Sequence, residues 1–194
     1  MVAAASIALF SFAAVSAQTS PSQFPNIDII NFGQMTDTYY RGGQPEPDDY
    51  PALAALGIKT IIDLRNDPTS YEKSAAEAAG MHYVNIPMSG WKSPKESQIA
   101  EFLKVMEDPA TGTVYVHCKA GKHRTGMTGA IYRMTKFGWD YDQAYKEMKN
   151  YDYSSWPVHG ALGSYVKSYA KRLDSTRAAT AANASLKTAA STGN

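Results

Sequence analysis

The chain has 194 residues, 44% of them apolar, with 19 Lys and Arg against 18 Asp and Glu for a formal net charge of +1. That length suits one domain with a real core, and the charge balance excludes a broad nucleic-acid footprint. Any anion site must be local, built from a few clustered cations.

Residues 1–17, MVAAASIALFSFAAVSA, are uncharged and almost wholly apolar or small. The run is short for a membrane span and ends on Val15-Ser16-Ala17, a pattern that suits signal peptidase, so it reads as a secretory signal removed after Ala17. No Lys or Arg precedes it, which departs from the usual signal; an uncleaved apolar helix is the alternative. The expected location is periplasmic or secreted, without a stable membrane anchor, and the expected state is a monomer. Residues 18–36, rich in Gln, Ser, Thr, Pro and Asn, read as a linker. Residues 37–174 read as the domain, and the Ala/Ser/Thr-rich stretch 175–194 as a disordered tail.

Inside the domain the pattern alternates. LAALG ends a helix with Gly57 as its stop, and the apolar, β-branched IKTIIDL is a buried strand. YEKSAAEAAG reads as a helix closed by Gly80, and MHYVNIPM as a strand. SPKESQIAEFLKVMED reads as a helix with Ser93 at the N-cap, Pro94 at N1, Glu96 at N3 and an apolar stripe at Ile99, Phe102, Leu103 and Met106. TVYVH, Thr113 to His117, is a third strand, and RTGMTGAIYRMTKFG is a helix stopped by Gly138. DYDQAYKEMKNY and ALGSYVKSYAKRL are two more helices, with Trp139, Ala144, Tyr145 and Met148 spaced to pack against the sheet. Strands separated by helices imply an α/β fold with a central, mostly parallel sheet, whose ligands sit at the carboxyl ends of the strands.

The single cysteine, Cys118, lies at such an end, in VHCKAGKHRTG. One thiol makes no internal disulfide, so in an exported chain it asks for another explanation. A strand, a short loop and a helix make an oxyanion cradle: backbone N–H groups at the helix start point outward and the dipole favours negative charge. Gly121 lets the loop curl, and Arg124 can clamp two phosphate oxygens at once. Lys119, Lys122 and His123 either add to the cradle with Ala120 and Gly121 or are solvated loop side chains. The same field favours the thiolate of Cys118, the nucleophilic form. His117 can fix the backbone beside it, and Thr125 can place a hydroxyl near the sulfur.

The run HCKAGKHRT matches H-C-x5-R-T and resembles the signature of the cysteine-dependent protein tyrosine phosphatase superfamily, in its dual-specificity-like branch. YYRGGQP followed by LAALGIKTIIDLR is similar to the opening of bacterial and fungal members, and the resemblance spans Tyr39 to Leu173. It implies the phosphatase fold, Cys118 as nucleophile, Arg124 as phosphate clamp, the amides of Lys119 to Arg124 as cradle, Thr125 as the hydroxyl residue after the arginine, a phosphocysteine intermediate, and no metal or cofactor. One element departs: the loop after the second strand, PMSGWKSPKES, lacks the Asp that normally serves as general acid. The carboxylates that remain are Glu96, for which the capping box is the favoured role, Asp67, which precedes Pro68 in a turn, and Asp63, within an apolar strand. A phenolic ester or a phosphoanhydride leaves most easily without such an acid, so phosphotyrosine-type esters are the expected substrates. CKAGK-x-RTG is also similar to the loop of a phosphoinositide 3-phosphatase and of inositol pyrophosphatases, which makes inositol phosphates the enzymatic alternative. A phosphate-binding domain that turns over poorly is the non-enzymatic one. His159 is either a pocket residue or an ordinary surface histidine.

Overall fold

The computed structural model describes Phe24 and residues 26–191, with side chains through 185. The expected signal segment lies outside the described residues. Five strands form one sheet in the order β1-β2-β5-β3-β4: β1 Gly33–Thr36, β2 Tyr39–Gly42, β3 Thr60–Arg65, β4 His82–Met88 and β5 Val114–His117. Only the β1–β2 pair is antiparallel; β2–β5, β5–β3 and β3–β4 run parallel. The helices are α1 Tyr50–Ala55, α2 Glu72–Ala78, α3 Glu96–Glu107, α4 Arg124–Phe137, α5 Tyr141–Asn150 and α6 Gly160–Ser191.

Both faces of the sheet are covered, which is why β3 and β5 are buried at every position and read as continuous apolar runs. Alternate residues serve opposite cores. Ile62, Leu64, Val114 and Val116 face the core that α3 and α4 cover and that residues of α5 and α6 complete, while Ile61 and Tyr115 face the core shared with α1, α2 and Met81. The predicted stops hold: Gly57, Gly80 and Gly138 all take positive φ just past a helix.

Four expectations need correction. The linker does not extend to residue 36, because Gly33–Thr36 is the edge strand β1, and Phe24, Ile27 and Phe32 cover the second core. Ser93 does not cap α3: the chain stays extended through Lys95, Gln98 Oε1 accepts from the Lys95 N–H at 2.7 Å, and Ser93 Oγ donates to the Ala161 carbonyl at 3.4 Å. The α5 helix packs on α4 and α6 rather than on the sheet. The stretch expected to be disordered from Ser175 continues α6 as helix to Ser191. Alanine has the strongest helix propensity, the Thr176, Thr180 and Ser185 hydroxyls fold back onto carbonyls one turn earlier, and Arg177 Nη2 donates to the Met134 carbonyl at 2.5 Å.

Candidate active site

The sheet order puts β5 in the middle, so its carboxyl end opens between β2 and β3. The chain leaves β5 at His117, turns through Cys118 to His123 and enters α4 at Arg124. Gly121 sits at φ +66, and a Cβ there would lie 2.5 Å from the Gly42 carbonyl carbon and 2.7 Å from the Gly43 nitrogen. The loop therefore rests on the backbone of the Gly42-Gly43 pair, and no larger residue fits at 121.

Donors from the amino-terminal third of the domain hold this loop from behind. The Gln44 N–H donates to the Lys119 carbonyl at 3.2 Å, Asn31 Nδ2 to the Ala120 carbonyl at 3.0 Å, and Arg41 Nη2 to the Gly121 carbonyl. With three successive carbonyls drawn backwards, the loop is fixed before any ligand arrives, as an oxyanion cradle requires. Arg41 is fully buried and lies 3.9 Å from the centre of the Tyr151 ring. Asn31, Arg41 and Gln44 were not singled out from the sequence. The readable signal was RGGQ itself, a charged residue and two glycines closing a strand.

Cys118 is 3% exposed, at the floor of the loop. Burial pushes its thiol up, but the Thr125 hydroxyl, the Arg124 charge, the Thr125 N–H and the His117 charge together bring it below the ordinary thiol range. Thr125 Oγ1 is buried, and its hydroxyl is foremost among the groups that favour the thiolate. Arg124 Nη1 donates to Met88 O at 3.1 Å, to Asn66 Oδ1 at 3.2 Å and to Leu64 O at 3.4 Å, which locks the guanidinium against the ends of β3 and β4. Among the described residues Nε and Nη2 have no such partner, which leaves the side-on pair of donors that suits two oxygens of a phosphate.

The other loop residues divide. Lys119 is exposed, Lys122 Nζ lies 3.2 Å from Asp152 Oδ2, and Ala120 contributes backbone. The His123 ring stacks on His159 at 3.4 Å between centroids, and His159 stacks on Trp91 at 5.0 Å. Burial, then the charges of His159 and Lys122, hold His123 down at about 4, so it is neutral at neutral pH. His159 Nδ1 lies 2.7 Å from the Gly90 carbonyl. A Cβ on Gly90 would be 3.9 Å from Arg124 Nε, so the 89–93 loop passes directly beside the clamp. His159 is thus a rim residue rather than an ordinary surface histidine.

The acid candidates fare differently. Glu96 accepts from Tyr165 Oη at 2.9 Å and from Arg172 Nη2 at 3.0 Å, so it ties α3 to α6 and is neither the predicted cap nor placed at the loop. Asp63 is fully buried and accepts from the Arg65 N–H and Tyr83 Oη, both oxygens facing inward. Asp67 is exposed and 3.5 Å from Arg65 Nη2. Its slight burial works against ionisation, but Arg65 and then Arg124 hold it below the usual carboxylate range, which favours a carboxylate at neutral pH.

Beneath the loop the ligand atoms of Asp63, Glu72 and His117 lie within 4.8 Å of one another. Each member has a counterpart within the protein: His117 Nε2 is 2.7 Å from Glu72 Oε1, Gln44 Nε2 donates to Glu72 Oε2 at 2.9 Å, and Asp63 accepts from the Arg65 N–H and Tyr83 Oη. The donor set fits an internal ion pair better than a metal ion.

The sequence matches the family model described as "DSP-PTPase phosphatase fused to NAD+ Kinase" over residues 8–159. It is 28% identical over 138 residues to the dual specificity protein phosphatase TpbA of Pseudomonas aeruginosa, covering 71% of this chain and 62% of that one, so it spans somewhat under two thirds of that relative. The fold superposes on the catalytic domain of the PP-IP phosphatase SIW14 of S. cerevisiae with a TM-score of 0.66 at 20% identity, covering 81% and 95% of the two chains. It superposes on a P. aeruginosa TpbA in complex with pTyr with a TM-score of 0.65 at 23% identity, covering 85% and 94%. With a buried, activated cysteine in a preformed anion loop and a family match over most of its length, this chain belongs to the dual-specificity-like branch of the cysteine-dependent protein tyrosine phosphatases and is a phosphatase.

Proposed function

We propose that the enzyme hydrolyses aryl phosphomonoesters of the phosphotyrosine type through a phosphocysteine intermediate. Cys118 Sγ attacks phosphorus in line, the S–P bond forms as the P–O bond to the phenol breaks, and the phenol oxygen departs with the electron pair. The amides of Lys119 to Arg124 and the Arg124 guanidinium hold the three equatorial oxygens as charge shifts in the transition state. Water then attacks phosphorus, phosphate leaves, and the Thr125 hydroxyl eases departure of the sulfur. The observation that carries this reading is the Cys118 thiol, held below its ordinary range on the floor of a loop whose carbonyls are drawn away.

The choice of leaving group rests on the mouth. The loop at 89–93 holds no carboxylate, Glu96 is committed to α6, Asp63 is sealed, and Asp67 is held ionised. A phenolate leaves with little protonation, an alkoxide does not. The complex of TpbA with pTyr supports the same choice. Inositol pyrophosphates are the second reading: Lys119 is exposed at the rim, the anhydride also leaves without an acid, and the SIW14 domain is named a PP-IP phosphatase. The segment MVAAASIALFSFAAVSA supports export to the periplasm or beyond as part of the proposal, checked by the amino terminus of the mature chain.

The test is phosphate release in chelator from p-nitrophenyl phosphate, a phosphotyrosine peptide, a phosphoserine peptide and an inositol pyrophosphate. Turnover of the two aryl esters with little from phosphoserine is the expected pattern. Turnover of the inositol substrate alone would transfer the assignment to the second reading. One equivalent of released product followed by no turnover would mark a phosphate binder.

A further inference from the structure

Glu72 opens α2 on the helix face that also carries the buried Ala76, and its side chain is completely enclosed. A carboxylate on the apolar face of a helix is costly unless something inside needs it. Its Oε1 is 2.7 Å from His117 Nε2, the residue before the nucleophile, and both side chains are 0% exposed. Its Oε2 accepts from Gln44 Nε2 at 2.9 Å, Gln44 Oε1 accepts from Arg65 Nη1 at 2.6 Å, and Arg65 Nη2 donates to the Asp67 carbonyl at 2.5 Å. A polar chain, buried at His117 and Glu72 and partly exposed beyond, thus runs through Gln44 and Arg65 to the Asp67 turn. The Gln44 N–H also holds the Lys119 carbonyl of the cysteine loop.

We propose that Glu72 is a positioning residue that keeps a protonated His117 beneath Cys118 and so holds the nucleophile as thiolate. This rests on Cys118 being the nucleophile. The groups facing His117 are Glu72 from α2, Asp63 from β3, with one oxygen 3.9 Å away, Tyr115 stacked on it within β5, and Cys118 itself. Those facing Cys118 are His117, Arg124 and Thr125 from the loop and α4, Arg41 from β2, and Tyr115. Burial alone would strip His117 of its proton; the contact with Glu72 and the charges of Glu72, Asp63 and Cys118 outweigh it and raise its affinity for the proton. Remove the carboxylate and the imidazole goes neutral, and one of the cations that favour the thiolate is lost.

The experiment is the pH dependence of iodoacetamide alkylation of Cys118 in wild type, Glu72→Gln, His117→Gln and the double variant. Glu72→Gln should move the alkylation profile to higher pH by about one unit, roughly a tenfold loss of thiolate on the acid side. Its kcat/KM should fall most at acid pH and recover as pH rises. The double variant should show the His117→Gln profile with no further shift. An unshifted profile in a folded Glu72→Gln protein overturns the proposal, as does an activity loss equal at every pH. If that variant does not fold, nitrogen-15 NMR of the wild-type imidazoles decides: a His117 ring mostly protonated at pH 7 supports the proposal, and a ring mostly neutral at pH 7 overturns it. Neither readout needs turnover, so failure of the phosphatase reading would show separately, as absent phosphate release.

Discussion

The two sides of the cysteine loop are built to different standards. Behind it, Asn31, Arg41 and Gln44 hold three successive carbonyls, Gly42-Gly43 press against Gly121, and a buried ion pair sits under Cys118. In front, the rim is a stack of rings, Trp91 on His159 on His123, with Trp91 63% exposed. The back fixes where the sulfur and the oxyanion donors are, and catalysis tolerates little error there. The front decides what reaches them, and it offers flat ring surface and, along the 89–93 loop, no carboxylate. Chemistry is therefore determined by contacts made before any substrate binds, and substrate choice by surfaces that are still open.

Breaking the back should cost most. Arg124→Lys keeps the charge but loses the fork, and kcat/KM should fall by about 10²–10³-fold with the fold intact. Gly121→Ala places a methyl into the Gly42 backbone at a positive φ, and the loop must shift. We expect roughly a hundredfold loss of kcat, because a displacement of about 1 Å is enough, together with weaker inhibition by free phosphate. Stability measured by thermal melting against pH reads the same region. His117, raised above its ordinary value, contributes fully below about pH 6.5, and Glu72, held below its ordinary value by His117 and Gln44 despite burial, contributes fully above about pH 4.5. The pair should therefore stabilise most between those values, with the benefit lost as pH rises through the folded His117 value or falls through that of Glu72. In Glu72→Gln this hump should flatten.

Changing the front should cost less and discriminate between substrates. Asp67→Asn should lower turnover of aryl esters less than about tenfold, since general acid help matters least to a phenol; a loss of about a hundredfold would make Asp67 the missing acid. Trp91→Ala should raise KM for a phosphotyrosine peptide by a few fold, in line with about 1 kcal/mol for an aromatic contact, and leave inhibition by free phosphate unaffected.

What was legible in the sequence follows the same division. The loop from His117 to Thr125, the flanking strand and helix, and the glycine stops lie within a few residues of one another, so local rules were enough. The supports were not legible, because Asn31 and Arg41 meet the loop across 89 and 80 residues of chain. Only the strand order, with β2 beside β5, brings them there. Glu96 was misread because S-P-x-E satisfies a local capping rule, whereas its actual partners, Tyr165 and Arg172, arrive from α6. Glu72 did leave a local trace, a carboxylate aligned with buried alanine on α2, but its partner is again distant in sequence.

The most direct test of the central claim is to quench the reaction with p-nitrophenyl phosphate in acid within the first turnover and weigh the protein by mass spectrometry. The wild-type protein should gain the mass of one phosphoryl group, located on Cys118 by peptide mapping and absent from Cys118→Ser. Steady release of phosphate with no phosphoryl group on Cys118 at any quench time, or release undiminished in Cys118→Ser, would contradict the claim.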